Sequence, residues 1–296
     1  MRLHFIMNID WKRLGWTMAA AALCAAVSGC ALVRSGVQRS ARDLAAGLMQ
    51  EDDLELAKEG MPAFLLALDA MAAAHPDDPS ALAAAADAQL AYATAFGGED
   101  AARAKRMYAK ARRLSLEALS LRNREFAEAL EGLDQDAFER SLAGFGAEDA
   151  GTLFTAAASW MLWIVANSDS PAAMGGLPRA LAMVKRMHDL DPGIRNGGPE
   201  LFYGIYYTVL PFGAGRDLEK AREHFERSME LAGPDYLPAK VAFAEYYARY
   251  AFDQPLFEET LRAVLAAEPA SKANGLANEA AKRRAAALLA RTEDLF

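Results

Sequence analysis

Six times along this chain three residues fall at positions i, i+4 and i+7, the spacing that places them on one face of an α-helix. In three cases a proline follows at i+12, where it stops the helix. Phe64/Leu68/Met71 leads to Pro76, Ala180/Val184/Met187 to Pro192, and Phe257/Leu261/Val264 to Pro269. Ala221/Phe225/Ser228 reaches Pro234 one residue late, while Ala104/Tyr108/Ala111 and Phe138/Leu142/Phe145 keep the face without the stop. The starting positions lie 40, 34, 42, 41 and 36 residues apart. Helix pairs recurring at this period cannot bury their apolar faces alone, so they must stack on their neighbours. Composition agrees, because 53% of the 296 residues are hydrophobic and Ala and Leu abound while Val, Ile and Thr are sparse, a balance for helices and not for sheets. The expected fold is all-α, a solenoid of about six degenerate helix pairs forming one domain over residues 46–296.

The face and stop resemble the second helix of the tetratricopeptide repeat. The first helix of that motif sets a large residue, a small one and a large one three further on, so that a neighbour can approach at the small position. Tyr203-Gly204-x-x-Tyr207 and Phe243-Ala244-x-x-Tyr247 fit it, and Ala156-Ala157-x-x-Trp160 and Ala88-Gln89-x-x-Tyr92 fit loosely. The standard repeat is ~34 residues, so the longer spacings imply enlarged loops, at 168–178 and 210–217.

The start of the chain carries a different signal. Lys12 and Arg13 precede the apolar run WTMAAAALCAAVSG, and Cys30 follows directly. The run is too short to span a membrane and reads as a signal peptide over residues 1–29, with Met1 or Met7 as its first residue. Val27-Ser28-Gly29-Cys30 resembles the bacterial lipobox, which implies diacylation of Cys30 and a lipidated tether over residues 30–45. Two or three acyl chains at ~0.8 kcal/mol per buried CH₂ make such an anchor effectively permanent. Cys24 is lost with the leader, so the mature chain has no disulfide, no cysteine nucleophile and no cysteine metal site. Ala31 stands where an Asp signals retention in the inner membrane, and the family sorting rule then points to the outer membrane.

Charge and motifs exclude several classes of function. Net charge is -8, and loss of the leader leaves 29 basic against 39 acidic residues, which argues against nucleic acid as a partner. The basic run from Arg103 to Arg113 is spread around a helix committed to core contacts. His75, His188 and His224 lie on different helix ends or faces without an HExxH spacing, so no metal is expected. Gly213-Ala214-Gly215-Arg216 has no preceding strand and no Gly-Lys-Ser/Thr, which excludes a phosphate loop. With no Gly-x-Ser-x-Gly either, the chain is expected to be no enzyme and to carry no cofactor.

Several long stretches together resemble one family, the tetratricopeptide-like lipoproteins associated with TRAP transporters and known as the T component. They are EDDLELAKEGMPAFLLALDAMAAAHPDDPSAL, YATAFGGEDAARAKRMYAKARRLSLEAL, GLPRALAMVKRMHDLDP, FYGIYYTVLPFGAGRDLEKAREHFERSMELA and the closing LANEAAKRRAAALLARTEDLF. Where the family tends to have Gly-Gly before the loop Asp, this chain has Gly213-Ala214-Gly215-Arg216. The resemblance implies a periplasm-facing lipoprotein that accompanies the solute-binding protein of a TRAP uptake system, a trimeric assembly, and an apolar pore or cleft.

The concave surface of such repeats is lined by the first helices, at fixed offsets from the large core residue. Taking Tyr92, Trp160, Tyr207 and Tyr247 as those residues gives Leu90, then Phe154, Met161 and Leu162, then Leu201, Ile205 and Thr208, then Val241, Glu245 and Arg249. The first seven would form an apolar channel for a greasy small molecule or partner segment; the other reading is ordinary helix packing. Two functions follow: an accessory of solute uptake, or a scaffold lipoprotein for envelope assembly whose inner face holds a partner's helix.

Overall fold

The structure is a computed structural model that describes residues 44 and 46–296, apart from 99, 211, 212, 214, 269 and 271. The signal peptide, Cys30 and the tether up to residue 43 lie outside the described residues, as does Pro269. Residues Leu48–Phe296 form one compact unit. It is all-α, with no strand among the described residues.

Side chains at the helix starts explain many of the boundaries. Asp53 caps α1 (Leu54–Ala74), Asp78 caps α2 (Pro79–Phe96) and Asp100 caps α3 (Ala101–Arg122), each accepting first-turn backbone N–H groups. Asn123 does the same for α4 (Arg124–Glu131) and Asp134 for α5 (Gln135–Leu142). No capping side-chain bond starts α6 (Ala150–Val165), α8 (Leu177–Leu190) or α9 (Ile194–Val209). Between α6 and α8 the short α7 (Pro171–Met174) is capped by Ser170. Asp217 caps α10 (Leu218–Ala232), and α11 (Pro238–Ala242), which has no such cap, continues as a π-helical stretch over Phe243–Ala248. Asp253 caps α12 (Gln254–Ala266), and α13 (Gly275–Leu289) and α14 (Thr292–Leu295) complete the chain. The prolines stop helices as the spacing requires: α1, α8 and α10 end two residues before Pro76, Pro192 and Pro234.

The periodic faces are the packing faces. Ala180, Val184 and Met187, Ala221, Phe225 and Ser228, and Phe257, Leu261 and Val264 are all fully buried. Phe138, Leu142 and Phe145 are buried too, and Phe126 of α4 sits against Phe138 and Phe145 with ring centroids 5.4 and 5.1 Å apart. In α1 the buried stripe is Met61, Leu65, Leu68 and Ala72, so Phe64 and Met71 are turned to its edge and only half-buried.

These helices make two layers. The inner layer runs α2, α6, α9, α11 with its π-helical continuation, then α13, each touching the next. The outer helices α1, α3, α8, α10 and α12 bridge successive inner ones. Helix α13 then packs on α1 and α2, so the array closes into a ring. Leu276 joins the cluster of Ala57, Met61 and Tyr92, and Arg283 Nη2 donates to the Ala95 carbonyl at 2.8 Å. Gly275 is required at the junction, where a Cβ would stand 2.5 Å from the Gln50 carbonyl oxygen.

The inner helices α2, α6, α9 and α11 run in the same direction. Thr155 bonds Asp87 while Ala158 packs with Leu90, a constant offset along α2 and α6. Arg195 lies beside Gly151 and Gly198 against Phe154, a constant offset along α6 and α9. Tyr236, ahead of α11, bonds Asn196 near the start of α9. At the other end Arg216 Nε donates to the Leu210 carbonyl at 2.7 Å and its guanidinium lies 5.2 Å from the Tyr250 ring. The ring therefore has an amino-terminal mouth and a carboxy-terminal mouth.

Candidate functional site

The inner wall of this ring is apolar on one side and charged on the other. On α6 the residues 151, 154, 158, 161, 162 and 165 share a face at helical spacing. The opposite face, Leu153, Ala156, Ala157, Trp160 and Ile164, is buried in the main core. Phe154, Met161 and Leu162 are half-buried. On α9 the face of Glu200, Gly204 and Thr208 is buried, and a Cβ on Gly204 would stand 2.9 Å from the Phe225 ring of α10. Leu201, Phe202 and Ile205 are half-buried. Phe154 and Phe202 meet at 5.9 Å between ring centroids, and with Leu162, Tyr108 and the buried Leu90, Ala111 and Ala158 they form one cluster across α2, α3, α6 and α9.

A polar clamp lies toward the amino-terminal mouth. Arg195, Asn196 and Gly197 all have left-handed backbone, with φ of 50°, 59° and 71°. For the two residues with side chains this costs on the order of 1–3 kcal/mol each. The turn aims Arg195 at Asp87, whose two oxygens accept from Nη2 at 2.9 Å each, and Thr155 Oγ1 donates to the same carboxylate at 2.9 Å. Three inner helices are thereby tied together. Asn196 bonds the Tyr236 hydroxyl, which burial holds above the usual phenol range against the lowering effects of that bond and of Arg195. A Cβ on Gly197 would come 2.8 Å from the Ser228 carbonyl oxygen of α10. Gly197→Ala is expected to destabilise the protein by about 2–4 kcal/mol through the left-handed φ and this backbone clash, lowering the urea midpoint at unchanged slope.

The wall facing α13 is charged. Glu245, in the π-helical stretch, forms an ion pair with Arg284, its Oε2 accepting from Nε at 3.1 Å. Tyr246 beside it is pushed up to about 12, chiefly by burial and then by Glu245, with Arg284 opposing. Arg283 lies 5.4 Å from the Phe96 ring.

Between α8, α9 and α10 lies a second polar cluster with a buried carboxylate at its centre. Glu200 is only 6% exposed. His188 Nε2 lies 3.0 Å from its Oε1 and His224 Nδ1 2.6 Å from its Oε2. The imidazole of His224 stacks on Tyr207 and lies 5.1 Å from Tyr203. Burial, followed by the charges of Asp189, Tyr207 and Glu200, pushes Tyr203 up to about 12. The two histidines approach different oxygens, a bridge and not a chelate. Among the described residues no group of three His, Cys, Asp or Glu is placed to hold a metal ion.

The raised tyrosines make a titration prediction. Unfolded phenols ionise near ~10, so Tyr203 and Tyr246 contribute stability that is present below that pH and lost as pH rises from about 10 toward 12. Ultraviolet titration of the folded protein should show tyrosines still protonated at pH 11, and Tyr203→Phe should remove part of that late-titrating absorbance.

Residues 50–296 match the family described as TRAP transporter T-component. The chain belongs to the TRAP transporter T-component family. A protein of Treponema pallidum (strain Nichols), described only as uncharacterized, is 24% identical to this T-component over 266 residues, 83% of this chain and 81% of the relative. Membership makes the chain an accessory of a TRAP transport system and places it in a transport family. Among its described residues no helix is long and apolar enough to cross a membrane.

The sequence-derived inner-face residues of this T-component are distributed unevenly. Leu90, Phe154 and Leu162 share one cluster, and Met161 packs on the neighbouring core. Leu201 and Ile205 sit half-buried outside these clusters. Thr208 is fully buried and donates to the Gly204 carbonyl at 2.8 Å. Val241 is buried, while Glu245 and Arg249 carry the polar side. Two groups were not foreseen: the histidine pair on Glu200 and the Asp87–Arg195 clamp. Neither has a local spacing signal, since their members come from three helices each.

Proposed function

We propose that this T-component is a periplasm-facing lipoprotein, anchored through Cys30 to the outer membrane. Its helical ring binds or passes an apolar ligand and docks with the solute-binding protein of a TRAP uptake system. In this reading residues 1–29 are the signal peptide, 30–45 the tether and 46–296 the functional body, and a homotrimer is the family's expected assembly. The observation that carries the proposal is the half-buried apolar stripe of Phe154, Met161, Leu162, Leu201 and Ile205 on adjacent helices of a closed ring. Apolar side chains left half-exposed on an inner wall offer burial to a ligand at about 25 cal/mol per Å², and concave apolar walls with a few polar groups are the usual form of small-molecule sites.

The test uses Phe154→Glu with Ile205→Glu and an environment-sensitive apolar fluorophore. The wild type is expected to take up the probe, and the double variant to lose it while its unfolding free energy changes by less than about 2 kcal/mol. An unpaired charge placed in a packed core costs several kcal/mol, so a variant that unfolds while the wild type never bound the probe assigns these residues to packing instead. Acylation is tested apart: metabolic labelling with an alkynyl fatty acid should mark the wild type and not Cys30→Ala.

A further inference from the structure

The Asp87–Arg195 clamp has hydrogen-bonding capacity left over, and the surplus is of one kind. A guanidinium offers five N–H donors, yet only Nη2 of Arg195 is engaged, by the two oxygens of Asp87. Its Nε and Nη1 make no bond among the described residues, and the side chain is 45% exposed. Asp87 is the reverse case, because it accepts a third bond from Thr155 and a carboxylate has about four acceptor positions. A molecule that reaches this clamp therefore meets donors. Arginine that served only to tie helices together would be expected to present its whole fork to the tie, since bidentate pairing is the stronger geometry. Here one nitrogen makes the tie and the rest of the fork is open.

These donors stand at the edge of the apolar cluster. The Arg195 guanidinium lies 5.8 Å from the centroid of the Phe154 ring, and Phe154 leads on to Phe202 and Leu162 in the cluster that crosses α2, α3, α6 and α9. Space is left beside the cation as well. A Cβ on Gly151 would find Arg195 Nη2 as its nearest neighbour, at 4.0 Å, so the approach along α6 is not filled by a side chain. From the level of Gly151 to that of Leu162 the helix wall runs about 16 Å at 1.5 Å per residue. A cation with spare donors thus adjoins an apolar surface of acyl-chain length.

We propose that the ligand of the inner wall is an amphiphile with a single carboxylate head, which accepts from Nε or Nη1 of Arg195 while its alkyl tail lies along Phe154 and Leu162. The inference rests on the apolar-ligand reading above and adds the head group. Charge and donor count select this head over others. A cationic head would face the guanidinium and find its donors useless, and an alcohol would form only neutral-acceptor bonds, which are roughly half as strong as those to an ionised oxygen. Arg195 is already shared with Asp87, so a phosphate dianion would leave more negative charge uncompensated than a carboxylate does. The nearby Asp87 opposes even a carboxylate, which gives the proposal a distinctive consequence: neutralising Asp87 should tighten binding.

The experiment holds the full chain in lipid nanodiscs, with empty nanodiscs as the blank, and displaces a bound apolar fluorophore with four probes that share one tail: dodecanoate, dodecanol, dodecyl phosphate and dodecyltrimethylammonium. Dodecanoate is expected to bind about tenfold more tightly than dodecanol, the worth of one charge-assisted bond in place of a neutral one. Arg195→Gln should erase that preference and leave dodecanol as it was. Asp87→Asn keeps an acceptor for Arg195 and Thr155, and it should tighten dodecanoate several-fold with dodecanol unchanged. A gain for one head group alone cannot come from damage to the fold, so this variant decides the matter even if Arg195→Gln fails to fold. Dodecanol bound as tightly as dodecanoate, or dodecanoate unchanged in Asp87→Asn, overturns the carboxylate head while leaving the apolar-ligand reading intact. Dodecyl phosphate bound most tightly assigns a phosphate head and overturns the proposal. A wild type that takes up neither the fluorophore nor any of the four probes overturns both readings.

Discussion

Glu200→Ala is expected to lower stability by about 3–5 kcal/mol, because it removes a buried acceptor on which side chains of two neighbouring helices converge and leaves a gap in its place. Two hydrogen bonds to a carboxylate are lost together, each worth about 1.5–3 kcal/mol, and they are the bonds that tie α8 and α10 to α9. A chain of this size loses roughly 2–4 °C of melting temperature per kcal/mol, so calorimetry should register a drop of the order of 10 °C. Glu200→Gln keeps one oxygen acceptor and should fall between wild type and alanine. A melting temperature for Glu200→Ala within a degree or two of wild type would mean that the bridge contributes nothing.

Ending the chain at Asn274 should have a still larger effect. That truncation removes α13, and with it Leu276 from the cluster of α1 and α2, and Ala281, Ala285 and Leu288 from the cluster they share with Phe257, Leu261 and Val264. It also removes Asn278, whose side chain accepts from the Leu237 N–H at 2.9 Å and donates to the Asp235 carbonyl at 2.8 Å. Each buried leucine alone is worth about 2–5 kcal/mol by comparison with alanine substitution. The total, on the order of 10 kcal/mol, matches the whole stability of a typical domain. Circular dichroism melts of the truncated chain should therefore show no cooperative transition. A sharp two-state melt near the wild-type temperature would mean that the ring does not depend on its closure.

The sequence reveals most where a helix packs on its sequential neighbours. Ala180/Val184/Met187, Ala221/Phe225/Ser228 and Phe257/Leu261/Val264 are buried as their spacing requires, because adjacent repeats supply both surfaces of each contact. It reveals less where distant segments meet. The stripe of α1 is shifted from Phe64/Met71 toward Met61/Leu65 because α1 packs on α13 as well as on α2, and no local window contains that contact. The short helix α4 has a single buried residue, Phe126, too few to show a period. Residues 154, 161 and 162 and residues 201 and 205 keep helical spacing, so the apolar side of the proposed site can be named from the chain, and all five are half-buried. The polar part was not, since Asp87 and Arg195 are 108 residues apart and Glu200 collects its histidines from two other helices. Arg195 is also aimed by a left-handed turn at two residues that are not glycine, which residue types alone do not announce.

Parallel alignment of the inner helices gives the ring an electrical axis. Each helix carries roughly half a positive charge at its amino end and half a negative charge at its carboxy end. Four helices pointing the same way add these partial charges instead of cancelling them, as antiparallel neighbours would. Two of them, α9 and α11, have no carboxylate at the N-cap position, whereas Asp149 stands there in α6, and the arginines at the opposite mouth sit where the helix ends are negative. Inside a low-dielectric wall such a field is screened far less than at an open surface. A molecule with one charged end inside the ring would therefore be held with a fixed orientation before it made any specific contact.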